Sequence, residues 1–326
     1  MGRIVGHRVM ARWNASLRWR NAVIGAELVI LIGAAIWLAH LRSRGLLQVS
    51  VGLQRDRAAV LYLPRAPKKG GTGVANLRRG KLPPVAILIS GLGAGPSAMA
   101  SLGRRLARNG YGALAIGIPL ADFASHGTAV SKDIAAAVAY ASSSSAVDGS
   151  AIVLIGHSAG AGAAMAYATE GHKIRGAVFV SGGCYLDGAV RPPNAMFLFT
   201  TRDPAAFRGS CYSILERLSG AQHPRLAETY GDFHAGTAVS EIEIPGESHI
   251  AIIGSESAAG YIIRWADRIF EIERTEPIEL GDPEGFASDL VLASILALVL
   301  TIYYSWLRVR GPSPSERSAV RGGSRR

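Results

Sequence analysis

Two long apolar runs bracket this chain. Ala22–Leu41 is nearly uninterrupted, broken by Glu27 close to its start, and Leu290–Leu307 ends in Tyr303, Tyr304 and Trp306. Each approaches the roughly 20 residues needed to cross a hydrocarbon layer of about 30 Å, and the terminal aromatics suit a lipid–water boundary. The pattern predicts membrane helices over 22–41 and 286–307. Between them the hydrophobic period changes. Gln48–Leu53 and Ala58–Leu63 alternate around a charged turn, Gln54–Arg57, and predict an opening hairpin. Pro64–Pro84 is rich in Pro, Gly, Lys and Arg and reads as a surface loop, its basic cluster either simply solvated or docked on a membrane surface. Short apolar strands follow at Val85–Ser90, Ala113–Ile118, Ala151–Ile155, Ala177–Ser181, Met196–Thr200 and Glu241–Ile244. Helical spacing separates them at Ser97–Asn109, Thr128–Ala141, Phe207–Leu218 and Tyr261–Ile272. Such alternation implies right-handed βαβ crossovers and an α/β fold with a doubly wound, mainly parallel sheet. Ligand sites in such sheets lie at the carboxyl ends of the strands. No internal repeat is visible.

The composition fits this picture. With 326 residues and 49% hydrophobic content, the chain can bury one large domain, placed at 46–272. The mean hydropathy of +0.22 is explained by the two flanking runs. A net charge of +11 suggests a nucleic-acid partner until it is located. Residues 1–20 carry five arginines and no acid, and residues 308–326 carry six arginines against Glu316. The basicity therefore sits in two tails, 1–21 and 308–326, beside the apolar runs. That is the signature of the positive-inside rule and of attraction to anionic lipid, whereas a nucleic-acid binder carries its charge on the folded domain.

The second run sets the orientation. Glu271, Glu273, Glu276, Glu279, Asp282, Glu284 and Asp289 lie before it, and arginines with one glutamate follow it. Arg42 and Arg44 argue the other way for the first run, but two spans force both ends onto one side. The expectation is an integral protein of a bacterial inner membrane, tails cytoplasmic and the domain periplasmic. A cleaved signal peptide is the rival for the first run. That run exceeds the usual apolar length of about 7–15 residues, and only Ser43-Arg44-Gly45 resembles a cleavage site. Cys184 and Cys211 would face an oxidising compartment. Two lone cysteines signal pairing weakly, and the expectation is narrowly against a bond between them.

The chemistry centres on Gly156-His157-Ser158-Ala159-Gly160, directly after the apolar run Ala151–Ile155. Small residues two before and two after a serine allow the tight strand-to-helix turn that holds a nucleophile in a strained conformation. Ala161–Ala164 continue the small residues into a predicted helix. The bland alternative is a glycine-rich turn with a serine helix cap. Later in the chain, Asp203 lies in Thr200-Thr201-Arg202-Asp203-Pro204 after one strand, and His249 lies in Ile244-Pro245-Gly246-Glu247-Ser248-His249 after the last.

In these motifs, and in the order serine, acid, histidine, the chain resembles the α/β-hydrolase superfamily over about residues 46–272, most nearly a compact dienelactone-hydrolase-like esterase with serine as nucleophile. The resemblance implies Ser158 as nucleophile, His249 as general base and Asp203 as its orienting acid. Asp187 and Asp232 are weaker rivals to Asp203, whose other reading is a helix cap. His234 is the nearest rival to His249, and His157 is at most a positioning residue. Gly156 and Gly160 frame the elbow. The backbone N–H of Leu92 or Gly93, in Ser90-Gly91-Leu92-Gly93-Ala94-Gly95, would supply one oxyanion donor and Ala159 the other. This string lacks the lysine and spacing of a nucleotide-binding loop. No Cys/His cluster has metal-ligand spacing, so neither metal nor cofactor is implied.

The function implied is a membrane-anchored serine hydrolase cleaving carboxylic esters through an acyl-enzyme. Peptidases, thioesterases and acyltransferases use the same triad. Little chain separates Ser181 from Met196, so no large cap fits there, and short, polymeric or lipid esters are the expected substrates. The rival of another class is a non-catalytic membrane protein using the fold as a binding platform. Oligomeric state is not legible.

Overall fold

The computed structural model describes residues 2–44, 46–54, 57–64, 82–123, 128–186 and 190–310. In chain order the first half comprises α1 (Gly2–Arg44), β1 (Leu47–Leu53), β2 (Arg57–Leu63), β3 (Pro84–Leu92), α2 (Ala100–Arg108), β4 (Gly112–Ile118), α3 (Leu120–Phe123), α4 (Thr128–Ser143) and β5 (Asp148–His157). There follow α5 (Ala159–Ala168), β6 (Gly176–Val180), β7 (Ala195–Thr200), α6 (Ala205–Ser219), β8 (Val239–Ile244), α7 (Glu256–Phe270) and α8 (Pro283–Arg310). Two units result: the α/β domain Gly45–Asp282, and a pair formed by α1 and α8. Most of the loop 64–84, residues 55 and 56 of the charged turn, Asp187 and residues 311–326 of the C-terminal tail lie outside the described residues.

The domain is one eight-stranded sheet in the order β1-β2-β4-β3-β5-β6-β7-β8. β1, β2 and β4 run antiparallel to their neighbours in that order, and β4 through β8 are parallel. Strands buried on both faces read as continuous apolar runs, and Val85–Ile89 of β3 and Ile152–Ile155 of β5 are buried on both sides. Alternate residues feed two cores. Ile87, Ile89, Leu154 and Phe197 pack beneath α4, α5 and α6. Ala86, Leu88, Val153 and Leu198 pack beneath α2 and α7.

The predicted elements lie where the structure has them, and their ends differ where non-apolar residues decide. α7 starts at Glu256, ahead of the predicted Tyr261, because Ser255 caps it by accepting from the Ala258 N–H at 3.4 Å. β5 starts at Asp148 because Pro84 of β3 pairs with it before the apolar run begins.

Contrary to expectation, Cys184 and Cys211 are bonded, with Cα atoms 4.9 Å apart. The bond ties the segment after β6 to α6. The fold brings α6 back over the end of β6, a proximity that spacing along the chain does not reveal. Closing a loop of this length stabilises a domain by about 3–4 kcal/mol.

One buried acid gives a pH signature. Glu241 on β8 is 4% exposed, and its Oε2 has no hydrogen-bond partner among the described residues. Burial, reinforced by Glu243 and opposed by Arg208, pushes its carboxyl up to about 7. The folded state thus holds this proton more tightly than the unfolded chain, whose carboxyl titrates near the ordinary 4.5. Stability is full below that value and is lost as pH rises through 7, by about 3 kcal/mol. Glu241→Gln is expected to flatten this part of the pH dependence of the domain's thermal midpoint between pH 5 and 8. An unchanged slope would contradict the assignment.

α1 and α8 pair antiparallel: Trp37 meets Phe286 edge-on at 5.9 Å, and Thr301 donates to Glu27 at 2.7 Å. Their shielded positions alternate by three and four residues. In α1 they are Arg20, Ile24, Glu27, Leu31, Ala34, Leu38 and Leu41; in α8 they include Glu284, Ala287, Val291, Ser294, Leu298, Thr301 and Ser305. This is the spacing characteristic of the seam between paired helices. Small and hydroxyl side chains on α8 permit the close approach seen between helices in lipid. Within them, Arg18–Arg42 and Pro283–Leu307, 25 residues each, are long and apolar enough to cross a membrane. The basic stretch 1–21, expected as a separate tail, continues the helix α1 from Gly2.

Candidate active site

Ser158 stands between β5 and α5 at φ 54°, ψ −119°, a region an L-residue occupies at a cost of about 1–3 kcal/mol. The surrounding packing holds it there. A Cβ at Gly156 would strike the carbonyl oxygen of Gly160, and one at Gly160 would strike those of Ile89 and Ser90. Glycine at both positions is therefore a packing requirement. The Ser158 N–H donates to the Val180 carbonyl at 2.9 Å, pinning the turn to β6. Its hydroxyl makes no capping bond to α5, which removes the reading of Ser158 as a helix cap.

The hydroxyl instead faces His249, which follows β8. The Oγ lies 3.1 Å from Nε2 of His249, and Nδ1 of the same ring lies 2.7 Å from Oδ1 of Asp203. Asp203 follows β7 and is buried. Burial alone would raise its carboxyl, but the Ser181 hydroxyl at 2.6 Å and the Thr200 N–H at 2.8 Å both donate to Oδ2, and with His249 they hold it below its ordinary value. The acid is thus an anion with both oxygens engaged. Such an anion fixes Nδ1 as the protonated nitrogen of His249 and leaves Nε2 free to accept the serine proton.

Two further residues act on this chain of contacts. The buried His157 donates from Nε2 to the backbone carbonyl of His249 at 2.8 Å, and burial lowers its pKa, so it sits as the neutral ring. Sequence reasoning allowed it a positioning role but gave no partner. Ser181 was missed. The one signal was a hydroxyl closing the apolar strand β6, which lies between the strands that carry Ser158 and Asp203. Its backbone has φ 49°, a conformation glycine adopts without strain. Ser181→Gly relieves that strain but takes a donor from a buried anion, so it is expected to lower kcat/KM about tenfold with only a modest change in the thermal midpoint, the two stability effects opposing one another. Activity equal to wild type would show that this contact does not orient the acid.

Of the two amides considered at the end of β3, Gly93 is corrected: its N–H donates to the Ile118 carbonyl at 2.8 Å. Leu92 remains the candidate, one residue past Gly91, where an added Cβ would lie 3.5 Å from the Ser158 Cβ. Ala159 opens α5, where first-turn N–H groups lack intrahelical partners and the helix dipole favours negative charge. The rivals lie elsewhere. His234 pairs with Glu271 at 3.2 Å on the surface, and Asp232 accepts from the Ala235 N–H at 2.7 Å within its own loop. Among the described residues no group of three His, Cys, Asp or Glu side chains is arranged to hold a metal.

The profile of the Alpha/beta hydrolase family matches residues 86–275. A comparison with curated proteins found no match. Among solved structures, S-formylglutathione hydrolase from Staphylococcus aureus is similar with TM-score 0.50 at 13% identity, covering 68% of this chain and 98% of that one. A puromycin-hydrolyzing peptidase from Mycobacterium tuberculosis is similar with TM-score 0.50 at 14% identity, covering 70% of this chain and 40% of that one. Dienelactone hydrolase from Anabaena variabilis is similar with TM-score 0.46 at 14% identity, covering 70% of this chain and 98% of that one. At these identities the likeness is one of fold.

Proposed function

The chain belongs to the alpha/beta hydrolase family, and from that premise we propose that it is a membrane-anchored serine hydrolase that cleaves carboxylic esters through an acyl-enzyme. The observation that carries the reading is the continuous contact from Ser158 Oγ through His249 to the buried, doubly engaged Asp203.

In this mechanism Ser158 Oγ attacks the ester carbonyl carbon while His249 Nε2 takes the hydroxyl proton. The oxyanion that forms is held by the Ala159 N–H, with the Leu92 N–H as second donor. Collapse breaks the bond to the alkoxy group, which leaves as the alcohol with the proton from His249. Water then attacks the acyl-serine, His249 accepts the water proton and returns it to Ser158, and the carboxylic acid departs. Asp203 stays an anion throughout and offsets the positive charge on the imidazolium.

The helices α1 and α8 would anchor the enzyme in a bacterial inner membrane, basic ends in the cytoplasm and the domain in the periplasm. The acid-to-arginine change across α8 supports that orientation. So does the Cys184–Cys211 bond, which persists in oxidising compartments. The full chain in detergent is expected to turn over p-nitrophenyl acetate faster than the matching thioester or anilide, with nearly all activity lost in His249→Ala. A folded preparation without turnover, or equal rates in the variant, would favour the non-catalytic binding platform.

A further inference from the structure

Ser181 reaches Asp203 from just beyond the sheet. The β6–β7 ladder ends with the pair Val180 and Leu198, and the Ser181 N–H donates to the Leu198 carbonyl at 2.8 Å. From there residues 182–186 run on without helix or strand. Ser181 itself has φ 49°, a conformation that costs energy and persists only where its surroundings enforce it. Its hydroxyl is nevertheless held 2.6 Å from Oδ2 of Asp203. The same stretch touches the nucleophile's turn: a Cβ on Gly182 would lie 2.6 Å from the Ser158 carbonyl oxygen and 2.4 Å from the Ala161 Cβ.

The disulfide closes on this same stretch. Ser181 stands three residues before Cys184, and Asp203 stands eight residues before Cys211. Asp203 and Pro204 directly precede α6, which carries Cys211. The Cys184–Cys211 bond and the Ser181–Asp203 hydrogen bond therefore join the same two segments, one covalently and one not. Two more contacts line the junction. The Cys184 N–H donates to the Ser210 Oγ at 3.2 Å, and the Cys211 Sγ packs 3.4 Å from the Gly182 carbonyl oxygen. Both cysteines are buried, at 4% and 0% exposure. A cross-link that only stabilised the fold could join any two distant segments. This one joins the segment that carries the acid to the segment that carries its donor.

On the serine-hydrolase reading, we propose that Cys184 and Cys211 are positioning residues of the triad, their bond holding the Ser181 hydroxyl on Asp203. With the bond closed, Ser181 keeps its strained backbone and donates to Oδ2, while Oδ1 stays on Nδ1 of His249 at 2.7 Å. With the bond open, the segment after β6 relaxes away from α6, and the carboxylate loses the donor that fixes one of its oxygens. His249 is then held less firmly at the angle that Ser158 needs. The reduced chain stays folded but turns over slowly, so full activity follows oxidation of the two thiols.

The test compares four full-length chains in detergent: wild type, Cys184→Ala/Cys211→Ala, Ser181→Gly, and all three substitutions together. Each is assayed with p-nitrophenyl acetate well below its thermal midpoint. Loss of the bond is expected to lower kcat about three- to tenfold with KM changed less than twofold, the ceiling being the cost of losing the Ser181 donor itself. In the Ser181→Gly background the same loss is expected to cost less than a further twofold, because the contact it serves is already gone. The thermal midpoint, by contrast, is expected to fall in both backgrounds. A folded double-alanine chain with wild-type kcat overturns the inference, as does an equal fold-loss with and without Ser181. A second arm needs no cysteine variant. A water-soluble phosphine reduces the folded wild type and Ser181→Gly chains: the disulfide takes up two electrons and two protons to give two thiols, and the phosphine becomes its oxide with oxygen from water. Turnover is expected to fall as thiols appear in wild type and to hold steady in Ser181→Gly. Wild-type turnover that holds while two thiols appear overturns the inference. In every one of these cases Ser158-dependent turnover by wild type leaves the hydrolase reading standing. Folded wild type without turnover defeats that reading, and the positioning role with it.

Discussion

Ser158→Ala is expected to lower turnover of p-nitrophenyl acetate by about 10⁶-fold, the scale on which loss of a serine nucleophile acts when its base and oxyanion donors remain. Among the described residues the side chain makes one polar contact, to His249 at 3.1 Å, and none to the amides of α5. Removing it therefore takes away the attacking atom and little else. The thermal midpoint is expected to stay within the small range typical of substitutions that break no buried network. A serine acting as a helix cap would give the opposite pair of results, a loss of about 1 kcal/mol in stability with chemistry intact. Measuring midpoint and turnover on the same preparation separates the two.

Asp203→Asn is expected to cost about 10⁴-fold in kcat. The asparagine carbonyl can still accept from Ser181 and the Thr200 N–H, as Oδ2 does now at 2.6 and 2.8 Å. Its amide then turns N–H toward His249. Nδ1 of the imidazole must accept that bond, so the ring proton moves to Nε2 and faces Ser158, where no base is left. The loss follows from a wrong tautomer with the geometry kept. It should appear in kcat with little change in KM. A fall of tenfold or less would mean that another group orients the histidine.

Much of this was legible in the sequence because it depends on packing. Apolar runs marked the parallel strands, since β3 and β5 are buried on both faces. The elbow was legible because two glycines are demanded by backbone contact. The order of serine, acid and histidine could be read because each follows a strand that ends at one edge of the sheet. What stayed hidden depends on proximity between distant segments. The Ser181 hydroxyl reaches Asp203 only because β6 and β7 are neighbours. The Cys184–Cys211 bond needs α6 folded back toward the end of β6. The choice between Leu92 and Gly93 turned on a single bond to β4, from the Gly93 N–H to Ile118. The seam between α1 and α8 was hidden for the same reason: Glu27, Ser294, Thr301 and Ser305 mark it with polar groups, but the two segments that meet lie far apart along the chain.

The most direct measurement is covalent labelling of the purified full chain with a fluorophosphonate probe, followed by peptide mapping. An activated hydroxyl attacks phosphorus and stays phosphonylated, whereas an ordinary serine does not react. One modified residue is expected, Ser158, with labelling abolished in Ser158→Ala and strongly slowed in His249→Ala. A folded wild type that remains unlabelled, or a label carried on another serine, would contradict it.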